Sequence, residues 1–231
     1  MTNTIWEEPT GEQPILAATK WRSNAELIET IVKLGYIRPD DNLLDLTYGR
    51  GTWWNNYKHP GPFTKNALLP DDEIVDGTTQ HDYTLLPDEW ASTYDVVAFD
   101  PPYIAMGGRT KTSLPDFVNR YGLMDAPRTP ADLNDYNTLG LGEAAYVCKP
   151  NGLILVKCCD YISSGQLQLA SHWMLQSALE MGLQVQDKLI HIGNVRPQPA
   201  GRRIVHARQN CSYLWVFRKP NHYSTGRRNG R

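Results

Sequence analysis

The last 44 of the 231 residues contain no acid. After Asp187 the chain carries Lys188, Arg196, Arg202, Arg203, Arg208, Arg218, Lys219, Arg227, Arg228 and Arg231, and neither Asp nor Glu. The 187 residues before them hold 13 basic against 25 acidic side chains, so the net charge of −2 conceals an acidic body and a basic end. That asymmetry has two readings: a single face fit to meet phosphates, or a solvated tail that serves solubility. Cysteine is also scarce. Cys148, Cys158, Cys159 and Cys211 form no Cys-x-x-Cys pair, which argues against a zinc site or a disulfide framework and for reduced structural thiols. No apolar run approaches the roughly 20 residues of a membrane span, and Met1 to Pro14 carries acids where a secretory signal needs an apolar core. The expectation is a cytoplasmic protein without membrane contact. There is no internal repeat. At 41% hydrophobic and 21% charged residues, the composition is that of one well-cored globular domain.

What is present is an alternation of helices and strands. Residues 1–20 read as a loosely ordered arm. Ser23-Asn24-Ala25-Glu26 has the form of a capping box, and Leu27, Ile28, Ile31 and Leu34 follow at helical spacing as far as Gly35. Asn42–Leu46 is a short buried strand, and Trp53–Tyr57 starts a helix or a turn. Strands are expected at 63–69, 73–75 and 94–99, the last rich in β-branched and aromatic residues and stopped by two prolines. Residues 104–128 form a polar connection. Thr129-Pro130 pairs an N-cap with proline at the first helical position, opening a helix to Cys148 that Gly140 and Gly142 threaten to interrupt. Pro150-Asn151-Gly152 turns the chain into the strand Leu153–Val156. Leu167, Met174, Leu175, Ala178 and Met181 predict a helix over 163–181, with Gly182 as its C-terminal cap. Two strands at 184–192 and 212–217 flank an Arg- and Pro-rich loop. The sum is an α/β sandwich, mostly parallel with an antiparallel edge, whose ligands would sit at the carboxyl ends of its strands.

Two motifs lie at such ends. Asp45-Leu46-Thr47-Tyr48-Gly49-Arg50-Gly51 follows a strand directly; its glycines permit close backbone approach to a ligand, and its acid can accept from a cation or hydroxyl. A plain tight turn explains this motif equally well. Asp100-Pro101-Pro102-Tyr103 ends the strand 94–99. Its prolines fix φ and remove two backbone donors, leaving the Pro101 carbonyl as a rigid acceptor beside the Asp100 carboxylate. Two fixed acceptors suit a flat amino group with two N–H donors. Accepting both would draw the nitrogen of a base amine out of ring conjugation, while Tyr103 stacks on the base. Such a site works by orientation and electrostatics and needs no metal.

With both motifs in this order, the chain resembles the S-adenosylmethionine-dependent amino-methyltransferases, the adenine-N6 and cytosine-N4 family marked by Asp-Pro-Pro-Tyr. The form resembled is compact, without an obvious large target-recognition domain. The resemblance implies a Rossmann-like methyltransferase fold, a mostly parallel seven-stranded sheet with an antiparallel closing strand and helices on both faces. It implies a methyltransferase domain over 21–219, with 104–128 as a substrate-contacting loop and 220–231 as a basic tail. Asp45, Thr47, Gly49 and Gly51 would line the methionine end of S-adenosylmethionine, Asp82 would meet its adenine, and Asp100 to Tyr103 would hold the target base. One departure stands out: the family usually carries an acid for the cofactor ribose at the end of the second strand, where Ala67 falls here. Asn66, Asp71 or Asp72 are the substitutes.

The implied activity is methylation of an exocyclic base amine, N6 of adenine in DNA, since aspartate in this motif leans towards adenine. A base inside a duplex must be flipped out to reach such a site. Arg109, Lys111 and Arg120, with Arg128 and the hinge candidate Gly107-Gly108, form one candidate nucleic-acid contact; Arg196, Arg202, Arg203 and Arg208 form a second. Each has an ordinary charged loop as its alternative. Trp53, Trp54 and Trp173 read as packing residues and not as base-stacking platforms. Sequence recognition would be short, or supplied by a homodimer or partner subunit. Ribosomal or transfer RNA as substrate, and a non-catalytic nucleic-acid-binding partner of an active enzyme, remain open alternatives.

Overall fold

Apolar side chains alternate along the central strands, and that alternation divides the molecule into two cores. The computed structural model describes residues 19, 23–68, 75–103, 105, 127–193, 206–207 and 209–223. Within them β1 (Leu43–Asp45), β2 (Phe63–Asn66), β3 (Thr78–Thr79), β4 (Tyr94–Phe99), β5 (Cys148–Cys158), β8 (Gln184–Ile192) and β9 (Cys211–Arg218) form one sheet in the order β3-β2-β1-β4-β5-β9-β8. Only β9 runs against its neighbours. This is the Rossmann-like fold of class I methyltransferases, as expected.

Since neighbouring side chains on a strand face opposite sides, Leu44, Val97, Phe99, Ile154, Val156, Trp215 and Phe217 join one core. Leu43, Val96, Ala98, Leu153, Leu155, Leu214 and Val216 join the other. Helix α1 (Asn24–Lys33) covers the second face with Leu27, Ile28 and Ile31. Its N-cap is Ser23, whose side chain accepts from the Glu26 N–H. Helices α2 (Pro130–Val147) and α3 (Ala170–Glu180) cover the first face.

α2 carries a full capping box between Thr129 and Asp132 and runs to Val147 as expected, without a break at Gly140 or Gly142. The reason for Gly140 is proximity: a Cβ there would lie 2.6 Å from both Phe99 and Tyr83. The glycine lets the helix press against β4 just before the Asp-Pro-Pro-Tyr segment.

Three further expectations need correction. The strand read over 63–69 ends at Asn66, and a third strand lies at Thr78–Thr79; of the strand expected at 73–75, residues 73 and 74 lie outside the described residues. Pro150-Asn151-Gly152 does not precede β5 but lies inside it, as an irregularity where Tyr94 pairs with Cys148 and Val96 with Leu153. The helix read from Ser163 begins only at Ala170. Before it stands a hairpin of β6 (Tyr161–Ser163) and β7 (Gln166–Gln168), turned by Ser164 and Gly165, both at positive φ. Two consecutive left-handed residues make a tight hairpin turn that a helix cannot contain. All four cysteines are free thiols. No helix among the described residues is long and apolar enough to cross a membrane.

Candidate active site

β1 and β4 are parallel neighbours, with Asp45 paired to Ala98, so Asp45 and Asp100 emerge side by side at the carboxyl edge. Between them the chain turns through Gly49 (φ +51°) and Gly51 (φ +69°). A Cβ on Gly51 would come within 2.5 Å of the Tyr48 hydroxyl, so this residue must be glycine for the loop to close over Tyr48. The Thr47 hydroxyl ties the motifs together by accepting from the Asp100 N–H at 2.7 Å.

After Gly51, a 3-10 turn (Thr52–Trp54) directs two indoles at the two acids. Trp54 Nε1–H donates to Asp45 Oδ2 at 2.6 Å, and Trp53 Nε1–H donates to Asp100 Oδ2 at 2.8 Å. Both rings are buried in the α1-side core. Packing was foreseen for them; the two hydrogen bonds were not. Trp173 departs from expectation: it is 50% exposed and lies in a shallow recess beside Pro101 to Tyr103 instead of in a core.

The two acids differ. Asp45 is buried and has its second oxygen, Oδ1, bonded by the Thr47 N–H at 2.9 Å. Burial raises its carboxyl to about 7 against these two hydrogen bonds, and the Asp100 charge adds to the rise. Asp100 Oδ1, by contrast, is shut off from solvent and accepts nothing among the described residues. Burial lifts this carboxyl to about 6, opposed by the charge of Lys157 and the Trp53 bond. A buried acceptor with no donor is rare in folded proteins and points to a ligand group.

Of the two proline carbonyls, that of Pro102 accepts from Asn137 Nδ2 at 2.9 Å, and Asn137 in turn accepts from the Tyr83 hydroxyl at 3.3 Å. α2 thereby fixes the end of the motif from behind. Among the described residues the Pro101 carbonyl accepts no hydrogen bond. Asn137 escaped the sequence reading because a polar residue in a weakly amphipathic helix carries no local signal of its partner. Lys157 escaped it too. This lysine ends the apolar run of β5, level with Asp100, and is 4% exposed.

A cavity of about 330 Å³ opens at this edge, lined by Asp45 to Arg50, Ala67, Asp82 and Asp100 among others. Asp45, Thr47, Gly49, Asp82, Asp100, Pro101 and Tyr103 all border it, and Gly51 and Pro102 do not. Gly51 shapes the loop behind, and Pro102 is buried beside it. Asp82 is held by Thr84 N–H and Oγ1, each at 2.8 Å, and by the Tyr136 hydroxyl at 2.9 Å. Asp45, Asp82 and Asp100 together with Arg50 suit a ligand that carries positive charge and a carboxylate of its own.

Ala67, where the resemblance leads one to expect an acid, borders the cavity with a methyl group. Asn66 cannot replace it. Its side chain is fully buried and donates to the Leu46 and His81 carbonyls, while its Oδ1 accepts from Thr79 Oγ1 and the His81 N–H. It is a fastener between β2 and β3. Asp71 and Asp72 lie outside the described residues, as do Arg109, Lys111, Arg120, Arg196, Arg202, Arg203 and Arg208. Arg128 is exposed just before α2.

No protein-family model matches the chain, and no curated protein matches its sequence. Solved structures do. A putative methyltransferase from Bacillus halodurans C-125 superposes with a TM-score of 0.51 at 12% identity, covering 84% of this chain and 98% of that one. The [4+2]-cyclase SpnF gives 0.52 at 11% identity over 85% of this chain and 80% of that one. A putative DNA modification methylase from Thermus thermophilus, complexed with S-adenosylmethionine, gives 0.41 at 14% identity over 73% of this chain. The chain spans 59% of that methylase, less than two thirds of its length. The first two likenesses establish the fold. A cyclase among them shows that this fold does not dictate one reaction, so function has to come from the site.

Proposed function

We propose that the chain transfers a methyl group from S-adenosylmethionine to the exocyclic amino nitrogen of a nucleic-acid base, N6 of adenine in DNA. The observation that carries this reading is Asp100 Oδ1, a buried acceptor without a donor among the described residues at the edge of the cavity; the Pro101 carbonyl next to it in the chain would be the second acceptor. A base amine has two N–H donors in one plane, and two rigid acceptors set side by side take both.

Asp45, Thr47, Gly49, Gly51 and Asp82 would hold the cofactor, which supplies a methyl group on a cationic sulfur. Asp100 and Pro101 accept the amine protons, weaken conjugation of the nitrogen with the ring and aim its lone pair into the cavity. The Tyr103 ring offers a stacking surface. Asn137 and Thr47 keep the motif from shifting, which is where such a site gains its rate. The proton the amine loses on methylation leaves along its bond to Asp100, whose carboxyl, lifted to about 6 by burial, can hold it.

The test is incorporation of labelled methyl groups into unmethylated DNA and, in parallel, into RNA. Label in DNA that disappears with Asp100→Ala supports the reading. Label confined to RNA moves the substrate to RNA. Absence of cofactor binding by calorimetry would favour a non-catalytic partner, to which the methyl group of Ala67 in place of a ribose-binding acid also points.

A further inference from the structure

β5 runs Leu153-Ile154-Leu155-Val156 and then places a lysine where its alternation asks for an apolar residue. The Lys157 side chain falls on the α1 side of the sheet and is 4% exposed. A buried ammonium is costly unless a counter-charge or full hydrogen bonding compensates it. Lys157 has neither within its own contacts. Among the described residues its one hydrogen-bond partner is Asn24 Oδ1, at 2.6 Å, and it forms no ion pair within 4 Å.

Its surroundings explain it. The ammonium lies 5.9 Å from the Trp53 ring centroid and 5.7 Å from that of Tyr103. These rings flank Asp100: the first donates to its Oδ2, and the second belongs to the same tetrad. Asn24 is the first residue of α1, so a helix end fixes the lysine from below. The other titratable groups acting around Asp100 are Asp45 on β1, a like charge once ionised, and Cys159 after β5, whose thiol is pushed up to about 11 and is neutral. Lys157 is the one cation among the described residues whose charge acts on Asp100.

We propose that Lys157 is a positioning residue of the methyl-transfer site: anchored by Asn24 between Trp53 and Tyr103, its ammonium keeps the Asp100 carboxylate ionised and open towards the amine. Without it, burial beside Asp45 would favour the neutral acid, which presents one acceptor fewer. The lysine acts through Asp100 and need not touch the base. The inference rests on the proposed reaction for what Asp100 accepts, but not for the ionisation of Asp100.

The experiment is a 13Cγ titration of aspartate-labelled full-length protein by NMR, with the Asp100 resonance assigned by its loss in Asp100→Asn. In Lys157→Met the Asp100 midpoint is expected to rise by about one pH unit or more, tenfold in the ionisation constant. In Lys157→Arg, which keeps the charge, it stays near the native value. A midpoint unmoved in Lys157→Met overturns the proposal. Should that variant fail to fold, the native protein suffices: the 15Nζ resonance of Lys157 is expected to respond at the Asp100 midpoint, and indifference to it overturns the proposal. Transfer by Lys157→Met should recover as pH rises, whereas an equal loss at every pH marks a scaffold lysine and counts against it. If the titration shifts but no base is methylated, the proposed reaction fails and the Lys157–Asp100 coupling stands.

Discussion

Asp45 and Asp100 end adjacent parallel strands, and each accepts one indole N–H from consecutive tryptophans. There the likeness stops. Asp45 has both oxygens bonded within the chain, one of them to the loop that follows it, whereas Asp100 keeps one oxygen buried and open. A fully satisfied buried carboxylate shapes the backbone around it; one left half-satisfied is held for something that arrives later. The two acids thus divide the edge of the sheet into a wall that is built and an acceptor that waits.

Removing each acid tests that division most sharply. Asp100→Ala should reduce methyl transfer by about 10²–10³-fold while cofactor binding, followed by calorimetry, stays nearly unchanged. Asp45→Ala should do the reverse, weakening cofactor binding and lowering the thermal midpoint together. Equal effects of the two variants on binding would erase the distinction.

The tryptophans come next in size. Trp54→Phe leaves the buried Asp45 Oδ2 without its donor and should cost roughly 1–3 kcal/mol of stability in denaturant titrations. Trp53→Phe removes one of the two influences that hold the Asp100 carboxyl down. It should therefore shift the pH profile of transfer upwards more than it destabilises the fold.

pH separates transfer from stability. Transfer should rise as pH climbs through about 6, because Asp100 must be ionised to accept the amine. Stability moves the other way. The folded value of Asp45, about 7, lies above its ordinary 3.8, so its neutral form favours folding; that contribution is complete below 3.8 and lost as pH rises through about 7. Asp100, raised to about 6, adds a smaller decline of the same sign, so in thermal midpoints of the cofactor-free protein Asp45→Asn should remove the larger share and leave the share of Asp100.

Gly140→Ala is expected to have the smallest effect on the comparison, since it touches neither acid. Its methyl group would press on Phe99 and Tyr83 at 2.6 Å and cost about 1–3 kcal/mol by overpacking. Through Asn137 on the same helix, a modest loss of transfer should accompany it.

Much of the frame was legible in the residues. Buried strands announced themselves as short apolar runs, Thr129-Pro130 marked the start of α2, and both acids were found at strand ends because polar residues and glycines stop the first run and two prolines the second. What escaped depends on distance in the chain. Ser163 to Leu169 reads as helix because Leu167 lies at helical spacing from Met174, yet Ser164-Gly165 turns it into a hairpin that leaves Leu167 and Leu169 exposed. Asn66 looked like a spare polar group near the cofactor and proved fully occupied by Leu46, Thr79 and His81. The indole bonds, the Asn137 brace and the buried Lys157 join residues from 9 to 133 positions apart, and no local pattern announces such pairs.

The central claim is that Asp100 and Pro101 present their free oxygens to a base amine. It is tested most directly by incubating the protein with S-adenosylmethionine and unmethylated DNA, then digesting the DNA and separating its nucleosides by mass spectrometry. N6-methyldeoxyadenosine from the native chain, and none from Asp100→Ala, is the predicted result. A methyl group found on a ring carbon or a hydroxyl, or N6-methyldeoxyadenosine that persists in Asp100→Ala, would contradict it.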